Sequence, residues 1–285
     1  MSKRNKITNK IDIIMVSFYS EKMINKCLKN IPSDINIIIV NNAINDPLKS
    51  KISKRRNLKV VTPEKNLGNG GGVNFGLKIS KKKYAMYLDV DTTFKKNIFR
   101  KLVILAEKTQ NWSIIAPNLL KYNYRKKNFV RTYNNDFFEM KFVEGCALLF
   151  NIKKIKHLGF YDEKIFLYYE EDDLFFRYRK NGFKVLMSKN VFISHKGNSS
   201  VNEKFSYEIE LNRNWHIMWS KFYYFKKNYS YFYGILKTFK NFFSSIIKSL
   251  IYYLINNNKY KIYFYRMNGL WNSYLGNKSF KRPNL

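Results

Sequence analysis

Residues 11–40, IDIIMVSFYSEKMINKCLKNIPSDINIIIV, decide the fold class: two apolar, β-branched runs enclose a stretch with helical character. Ile11–Ser17 and Ile35–Val40 are runs of the kind buried on both faces of a parallel sheet. Met23–Asn30 between them suits a helix. Downstream, Leu58–Val61 reads as a short strand and Val73–Lys81 as a helix opening after a glycine cluster. Tyr84–Leu88 is a further apolar strand ending at Asp89. This βαβ rhythm predicts a doubly wound α/β sheet, in which ligands gather beyond the carboxyl ends of the strands. With 285 residues and 45% hydrophobic composition, the chain is long enough for one large α/β domain plus an appendage.

Charge narrows the partners. The 53 Lys and Arg outweigh 20 Asp and Glu, leaving a formal +33. Such a surplus suits nucleic acid, anionic lipid or a phosphorylated substrate, and a genomic bias toward Lys, Asn and Ile would add to it. A nucleic-acid-binding protein would also fit basic charge with 18% aromatics, but no helix-turn-helix, zinc or RRM signature supports it. Cys27 and Cys146 form no CxxC pair, which is the usage of a reducing cytosol. The basic start, Met1–Lys10, leads into a short apolar run broken by Asp12, so it reads as a strand and not as a signal peptide.

Four elements carry candidate chemistry. In MYLDVDTTF, Asp89 and Asp91 follow a buried strand; alternate residues of an extended chain point the same way. Paired carboxylates there suit Mg²⁺ or Mn²⁺ holding a diphosphate, and a solvated strand-end turn would read alike. In NLGNGGGVNFGLK, residues 66–78, five glycines permit either close approach to a ligand or a flexible turn. No Gly-Lys-Ser/Thr follows, so this is not a P-loop. The run Glu170-Glu171-Asp172-Asp173 is an acidic knot in a basic chain. Crowded carboxylates suit a proton acceptor, and an acidic helix N-terminus suits the helix dipole; both readings can hold together. His195 follows the β-type run Val191–Ser194 and is either a metal ligand or a structural imidazole. No Ser-His-Asp or Cys-His spacing supports a nucleophilic hydrolase.

In their order these elements resemble the family-two inverting glycosyltransferases of the GT-A fold, and their rhamnosyltransferase-like branch most of all. IDIIMVSFYS is similar to the family's first strand and turn, IIIVNNAIND to its second strand, and NLGNGGGVNFGL to its asparagine- and glycine-rich segment. YLDVD stands where the family carries its metal-binding aspartate. EGCALLF, GFYDEKIFLYYEEDDLFFRYRKNGF, HKGNSS and NRNWHIMWSKF resemble the later motifs, so the likeness spans roughly residues 11–222.

The resemblance implies a catalytic domain over residues 1–215, with a nucleotide-sugar half at about 1–120 and an acceptor half at 121–215, followed by a basic amphipathic tail at 216–285. It implies that Ser17, Tyr19 and Asn41 lie near the base and ribose, and that Asn66, Gly68 and Asn74 join the donor site. Asp89 and Asp91 would flank the diphosphate, with Asp91 and His195 as ligands of a Mn²⁺ or Mg²⁺ ion. Glu171 would be the base, supported by Asp173 and Arg177. The chain departs from the family pattern at Asn41, Ile44, Val73 and Glu171, where Asp, Ser or Thr, Asn and Asp are usual. The first two bear on the donor base, and Glu171 reaches one methylene further than the commoner Asp. The implied partners are a UDP- or dTDP-sugar, a glycan or lipid-linked glycan acceptor and an anionic membrane surface, with no nucleic acid. The implied setting is cytoplasmic, peripheral at the inner membrane face, in bacterial lipopolysaccharide or capsule assembly. An inactive relative serving as a scaffold is the alternative, and the intact Asp89, Asp91, Glu171 and His195 argue against it. A sugar nucleotidyltransferase would carry a basic Gly-rich loop after the first strand, which VSFYSEK lacks.

From Leu211 to Leu285 there is no acid, 13 Lys or Arg and 22 aromatics. Within this stretch Ile235–Ile255 repeats apolar residues at i, i+3, i+4 and i+7. Its three lysines disfavour a membrane span and suit an interfacial helix; packing on the catalytic domain or on a second subunit would give the same pattern.

Overall fold

A computed structural model describes residues 7–120, 128–195 and 206–283. Among these the chain divides into two compact units. One is drawn from within Met1–Leu67, Gly71–Tyr161 and Leu174–Val201, the other from within Gly68–Gly70, Asp162–Asp173 and Asn202–Leu285.

The first unit is built on a ten-stranded sheet. Its strands are β1 (Ile11–Ser17), β2 (Asn36–Asn41), β3 (Leu58–Val61), β4 (Tyr84–Leu88), β5 (Thr92–Phe94), β6 (Trp112–Leu119), β7 (Phe129–Thr132), β8 (Phe137–Met140), β9 (Ala147–Asn151) and β10 (Lys184–His195). The order is β3-β2-β1-β4-β9-β6-β10-β8-β7, with β5 paired to β10. Strands β1–β4, β6, β7 and β10 run one way, and β5, β8 and β9 run against them. The sheet is therefore mostly parallel, as the apolar runs predict.

Helices cover both faces because successive strand residues point to opposite sides. Ile11, Ile13 and Met15 of β1 join one core, with Tyr84, Met86 and Leu88 of β4. Against it pack α1 (Glu21–Leu28) and, after the single turn α2 (Leu48–Lys51), α4 (Ile98–Lys108). Ile14 of β1 and Ala85 and Tyr87 of β4 face the other core. That side receives α3 (Gly68–Ile79), α5 (Ile152–Leu158) and part of α6 (Glu170–Lys180).

Helix α3 differs from the sequence expectation. It starts at Gly68, so the glycines lie in its first turns rather than in a loop before Val73. A Cβ on Gly76 would sit 2.5 Å from Ile14 Cγ2, and one on Gly72 would sit 2.9 Å from Val16 Cγ1. Side chains there would hold the helix off β1, so tertiary contact overrides the poor helix propensity of glycine.

The second unit carries three long helices: α7 (Ser206–Asn228), α8 (Tyr231–Leu254) and α9 (Lys259–Tyr274). Residue 215 lies near the middle of α7. The helices close on Met218, Phe222 and Leu270. Gly269 lets α9 approach the Trp215 backbone, where an added Cβ would overlap the carbonyl oxygen. Trp215 Nε1 donates to Asn268 Oδ1 at 2.8 Å, and Ser273 Oγ donates to the Trp219 carbonyl at 2.9 Å. His216 is a core histidine: burial lowers its imidazole to about 3, and its nitrogens meet the Lys281 carbonyl at 2.9 Å and Ser279 Oγ at 3.0 Å. Among the described residues, no helix is long and apolar enough to cross a membrane.

Candidate functional site

Because β1, β2, β4 and β10 run in the same direction, Ser17, Asn41, Asp89 and His195 all stand at the carboxyl edge of the sheet. The turn after β4 presents the two aspartates. The Asp89 amide donates to the Cys146 carbonyl at 2.8 Å, and the Asp89 carbonyl accepts from Thr92 Oγ1 at 2.6 Å. Val90 is buried in the core below, which leaves the flanking carboxylates free to meet on the other side. The Tyr87 hydroxyl donates to Asp89 Oδ1.

The third member arrives through a ladder. Strand β5 pairs antiparallel with β10, with Thr92 directly opposite His195. His195 Nε2 thereby lies 2.9 Å from Asp91 Oδ1 and 3.4 Å from Asp89 Oδ2. One ligand atom from each of the three residues falls within 4.8 Å of the others. Hydrogen bonds to Asp89 and Asp91 push the imidazole up to about 10, so the pair of carboxylates already attracts positive charge. Two hard oxygens with an imidazole nitrogen suit Mn²⁺ or Mg²⁺, and the half-exposed Asp89 beside the buried Asp91 gives a cation one open side. Residues 196–200, the rest of the HKGNSS motif, lie outside the described residues.

The donor-site candidates divide into edge groups and scaffolding. Ser17 is fully buried, and its Oγ has no hydrogen-bond partner among the described residues. Tyr19 holds a left-handed backbone, φ 53°, in the turn after β1. Asn41 is buried and shapes the next turn: Nδ2 donates to the Ala43 and Asp46 carbonyls, each at 3.0 Å, while Oδ1 accepts from the Ala43 amide. Asn66 lies half-buried before α3. Asn74 is buried and clamps Tyr161, donating to its carbonyl and accepting from its amide at 3.0 Å each. Gly68 has φ 74°, and a Cβ there would overlap the Phe166 carbonyl oxygen, so only glycine fits.

The acidic run resolves by helical spacing. Glu170 and Asp173, three apart on α6, share a buried face. Glu170 Oε1 accepts from Asn69 Nδ2 at 3.2 Å. Asp173 is fully buried and pairs with Lys227 Nζ at 2.8 Å and Asn228 Nδ2 at 3.0 Å. Lys227 also reaches Asp162 at 2.8 Å, where the Tyr223 hydroxyl donates at 3.0 Å. Glu171 and Asp172 are only partly buried. Arg177 Nη2 donates to the Phe160 carbonyl at 2.6 Å and so holds the turn before Tyr161. Asp173 thus ties the start of α6 to Lys227 and Asn228 of α7, and Arg177 braces the turn at Phe160.

Sequence reasoning missed four residues. Thr92 closes the aspartate turn and faces His195 across the ladder; a Thr-Thr pair directly after two aspartates is the local signal of a short strand. Lys227 pairs with the fully buried Asp173 and the partly buried Asp162 from a helix more than fifty residues downstream, which no local pattern discloses. Tyr168 and Tyr169 both adopt left-handed backbone, φ 65° and 66°, immediately before α6. Bulky residues rarely hold that conformation, and a consecutive pair marks stored strain beside the candidate base.

The sequence model of glycosyl transferase family 2 matches residues 12–171. A Haloferax volcanii protein, low-salt glycan biosynthesis hexosyltransferase Agl10, is 22% identical over 196 residues, which is 61% of this chain and 63% of that protein. The match thus spans a little under two thirds of the curated relative's length. The mannosyltransferase PcManGT from Pyrobaculum calidifontis, solved in complex with GDP-Man and Mn²⁺, superposes with a TM-score of 0.54 at 12% identity, covering 94% of this chain and 86% of that one. S. aureus TarS 1–349 in complex with UDP superposes with a TM-score of 0.52 at 13% identity, covering 97% and 94%. These likenesses show a shared GT-A fold. With its family signature matched over more than half of its length, on a sheet that brings two aspartates and a histidine together at the carboxyl edge, the chain belongs to glycosyl transferase family 2.

Proposed function

We propose that the protein is an inverting glycosyltransferase that moves a hexosyl or deoxyhexosyl group from a UDP- or dTDP-sugar to a glycan acceptor. The observation that carries this reading is the Asp89–Asp91–His195 cluster at the sheet edge of a family 2 chain. The Haloferax relative, named as a glycan biosynthesis hexosyltransferase, agrees with the reaction class. The order of motifs favours the rhamnosyltransferase-like branch. A lipid-linked acceptor at the inner face of a bacterial membrane, in surface polysaccharide assembly, suits a chain of formal charge +33.

In this reading Asp91 and His195 hold the cation, and Asp89 lies beside the diphosphate. A bound Mn²⁺ or Mg²⁺ supplies neutralisation of the charge that develops on the departing diphosphate. Ser17, Tyr19, Asn66 and Gly68 line the donor side, and Asn41 and Asn74 act by fixing its turns. The acceptor oxygen attacks the anomeric carbon as the bond from that carbon to the diphosphate oxygen breaks. Glu171 takes the hydroxyl proton. A single displacement of this kind inverts the anomeric configuration. Asp173, neutralised by Lys227, and Arg177, tied to the Phe160 carbonyl, hold α6 so that Glu171 keeps its place.

The test is thermal shift with nucleotide sugars, with and without Mn²⁺, on the wild type and on Asp91→Asn. Ligands that bind only the folded state raise its stability. A metal-dependent rise with a UDP- or dTDP-sugar, lost in the variant, is expected. Full sugar transfer by both Asp91→Asn and Glu171→Gln would refute the mechanism.

A further inference from the structure

Helix α8 is packed inside out. Its buried residues are small and polar-edged: Gly234, Thr238 and Ser245. Gly234 lies against the Phe222 ring, and Thr238 Oγ1 meets the Tyr274 hydroxyl at 2.9 Å. The large apolar residues Leu236, Phe239, Phe243, Ile247, Leu250 and Leu254 are all exposed, Leu236 and Leu254 at 73% each. At 100° per residue these six fall within an arc of about 80°, on the side away from α7 and α9. Phe232 extends the stripe at 83% exposure. With roughly 150–250 Å² for a large side chain, the exposed share of these residues amounts to on the order of 800 Å². Monomeric proteins rarely show contiguous apolar patches above a few hundred Å².

We infer that α8 lies flat in the headgroup region of an anionic phospholipid bilayer, with this stripe inserted and the helix parallel to the surface. Two observations choose this occupant. Lys237, Lys240 and Lys248 are exposed and fall together along one border of the stripe, and residues 211–285 carry 13 Lys or Arg and no acid. Anionic headgroups satisfy that charge, whereas a second copy of the same basic surface would repel it. No described helix is suited to crossing a membrane, so the contact is interfacial. Exposed aromatics stand at both ends of the helix, Tyr231 and Phe232 at one and Tyr253 at the other, where amphipathic rings suit the interface. The inference deepens the membrane setting proposed above and is independent of the sugar chemistry.

The test is co-sedimentation of the full chain with vesicles of phosphatidylglycerol or of phosphatidylcholine, without donor or metal. Binding to the anionic vesicles is expected, falling at least tenfold in Leu236→Gln/Leu250→Gln. At about a tenfold change per 1.4 kcal/mol and about 1 kcal/mol per basic residue near the surface, Lys237→Gln/Lys240→Gln/Lys248→Gln should lose roughly a hundredfold. Both sets of positions are exposed, and circular dichroism should show unchanged helix content. Equal binding by wild type and the leucine variant would overturn the inference. So would a lipid-independent dimer, seen by light scattering, that the leucine variant dissociates. Vesicle binding that persists in a protein showing no nucleotide-sugar binding would sink the transferase reading alone.

Discussion

Replacing Gly76 by alanine sets two effects of opposite sign against each other. Alanine is favoured over glycine in a helix interior by about 1 kcal/mol. Its methyl group, however, would lie 2.5 Å from Ile14 Cγ2 and 3.3 Å from Cγ1, where carbon atoms ordinarily rest about 3.5–4.0 Å apart. Ile14 is fully buried in β1 between β2 and β4, so it has no room to turn aside, and α3 must lift by about 1 Å over its packed length. Overpacking costs about 1–3 kcal/mol, and a contact about 1 Å too short against a fully buried side chain belongs at about 2–3, so after the helix gain the net expectation is a loss of about 1–2 kcal/mol. Native-state hydrogen exchange of the β1 amides reads this locally, without assuming that the two units unfold together. The same loss should lower the midpoint of the first unit by roughly 2–8 °C. A cycle identifies the cause. Ile14→Val retains Cγ2 and should not relieve the strain. Ile14→Ala removes both Cγ atoms and should cost about 1–2 kcal/mol less beside Gly76→Ala than alone. If Gly76→Ala protects β1 as well as or better than the wild type, close helix–sheet approach is not why glycine stands there.

The Asp162–Lys227–Asp173 network should respond asymmetrically. Lys227→Met leaves the fully buried Asp173 without its cation and should destabilise by about 3–5 kcal/mol, whereas Asp173→Asn leaves Lys227 its Asp162 partner and should cost less; urea unfolding followed by circular dichroism measures both. Glu107 gives a pH prediction. Burial would raise its pKa, but hydrogen bonds from Lys10, Lys83 and Tyr84 hold it down to about 2. A depressed carboxyl stabilises the folded state above its unfolded pKa, and that stability is lost as pH falls from about 4.5 toward 2. Glu107→Gln should therefore lower stability at neutral pH, by about 1 kcal/mol or less per pair since both lysines reach water, and flatten the acid limb of a stability–pH profile.

The parallel half of the sheet was readable because its strands are unbroken apolar runs. Ile11–Ser17, Leu58–Val61 and Tyr84–Leu88 begin and end where expected, and Ile35–Val40 is displaced by one residue. The insertion of β9 between β4 and β6 was not readable, because long-range pairing leaves no local trace. Helix α3 begins five residues before Val73 because glycine's weak propensity yields to contact with Ile14 and Val16. The acidic run was visible as a cluster, but only helical geometry separates Glu170 and Asp173, which are buried, from Glu171. In Ile235–Ile255 the periodicity located the helix and gave no direction; the structure turns its apolar side outward.

The pairing of β5 with β10 makes chain length itself a constraint on chemistry. A side chain in a ladder changes face with every single-residue slip. One residue inserted between Asp91 and Phe94 would turn Asp91, and one deleted directly before His195 would turn the imidazole, to the opposite face of the ladder, parting the pair. The cluster should therefore survive many replacements at Thr93, Phe192 or Ser194 yet fail with any shift in length there. Spacing from Asp91 to Phe94 and along β10 should thus divide active from inactive relatives more sharply than residue identity in either strand.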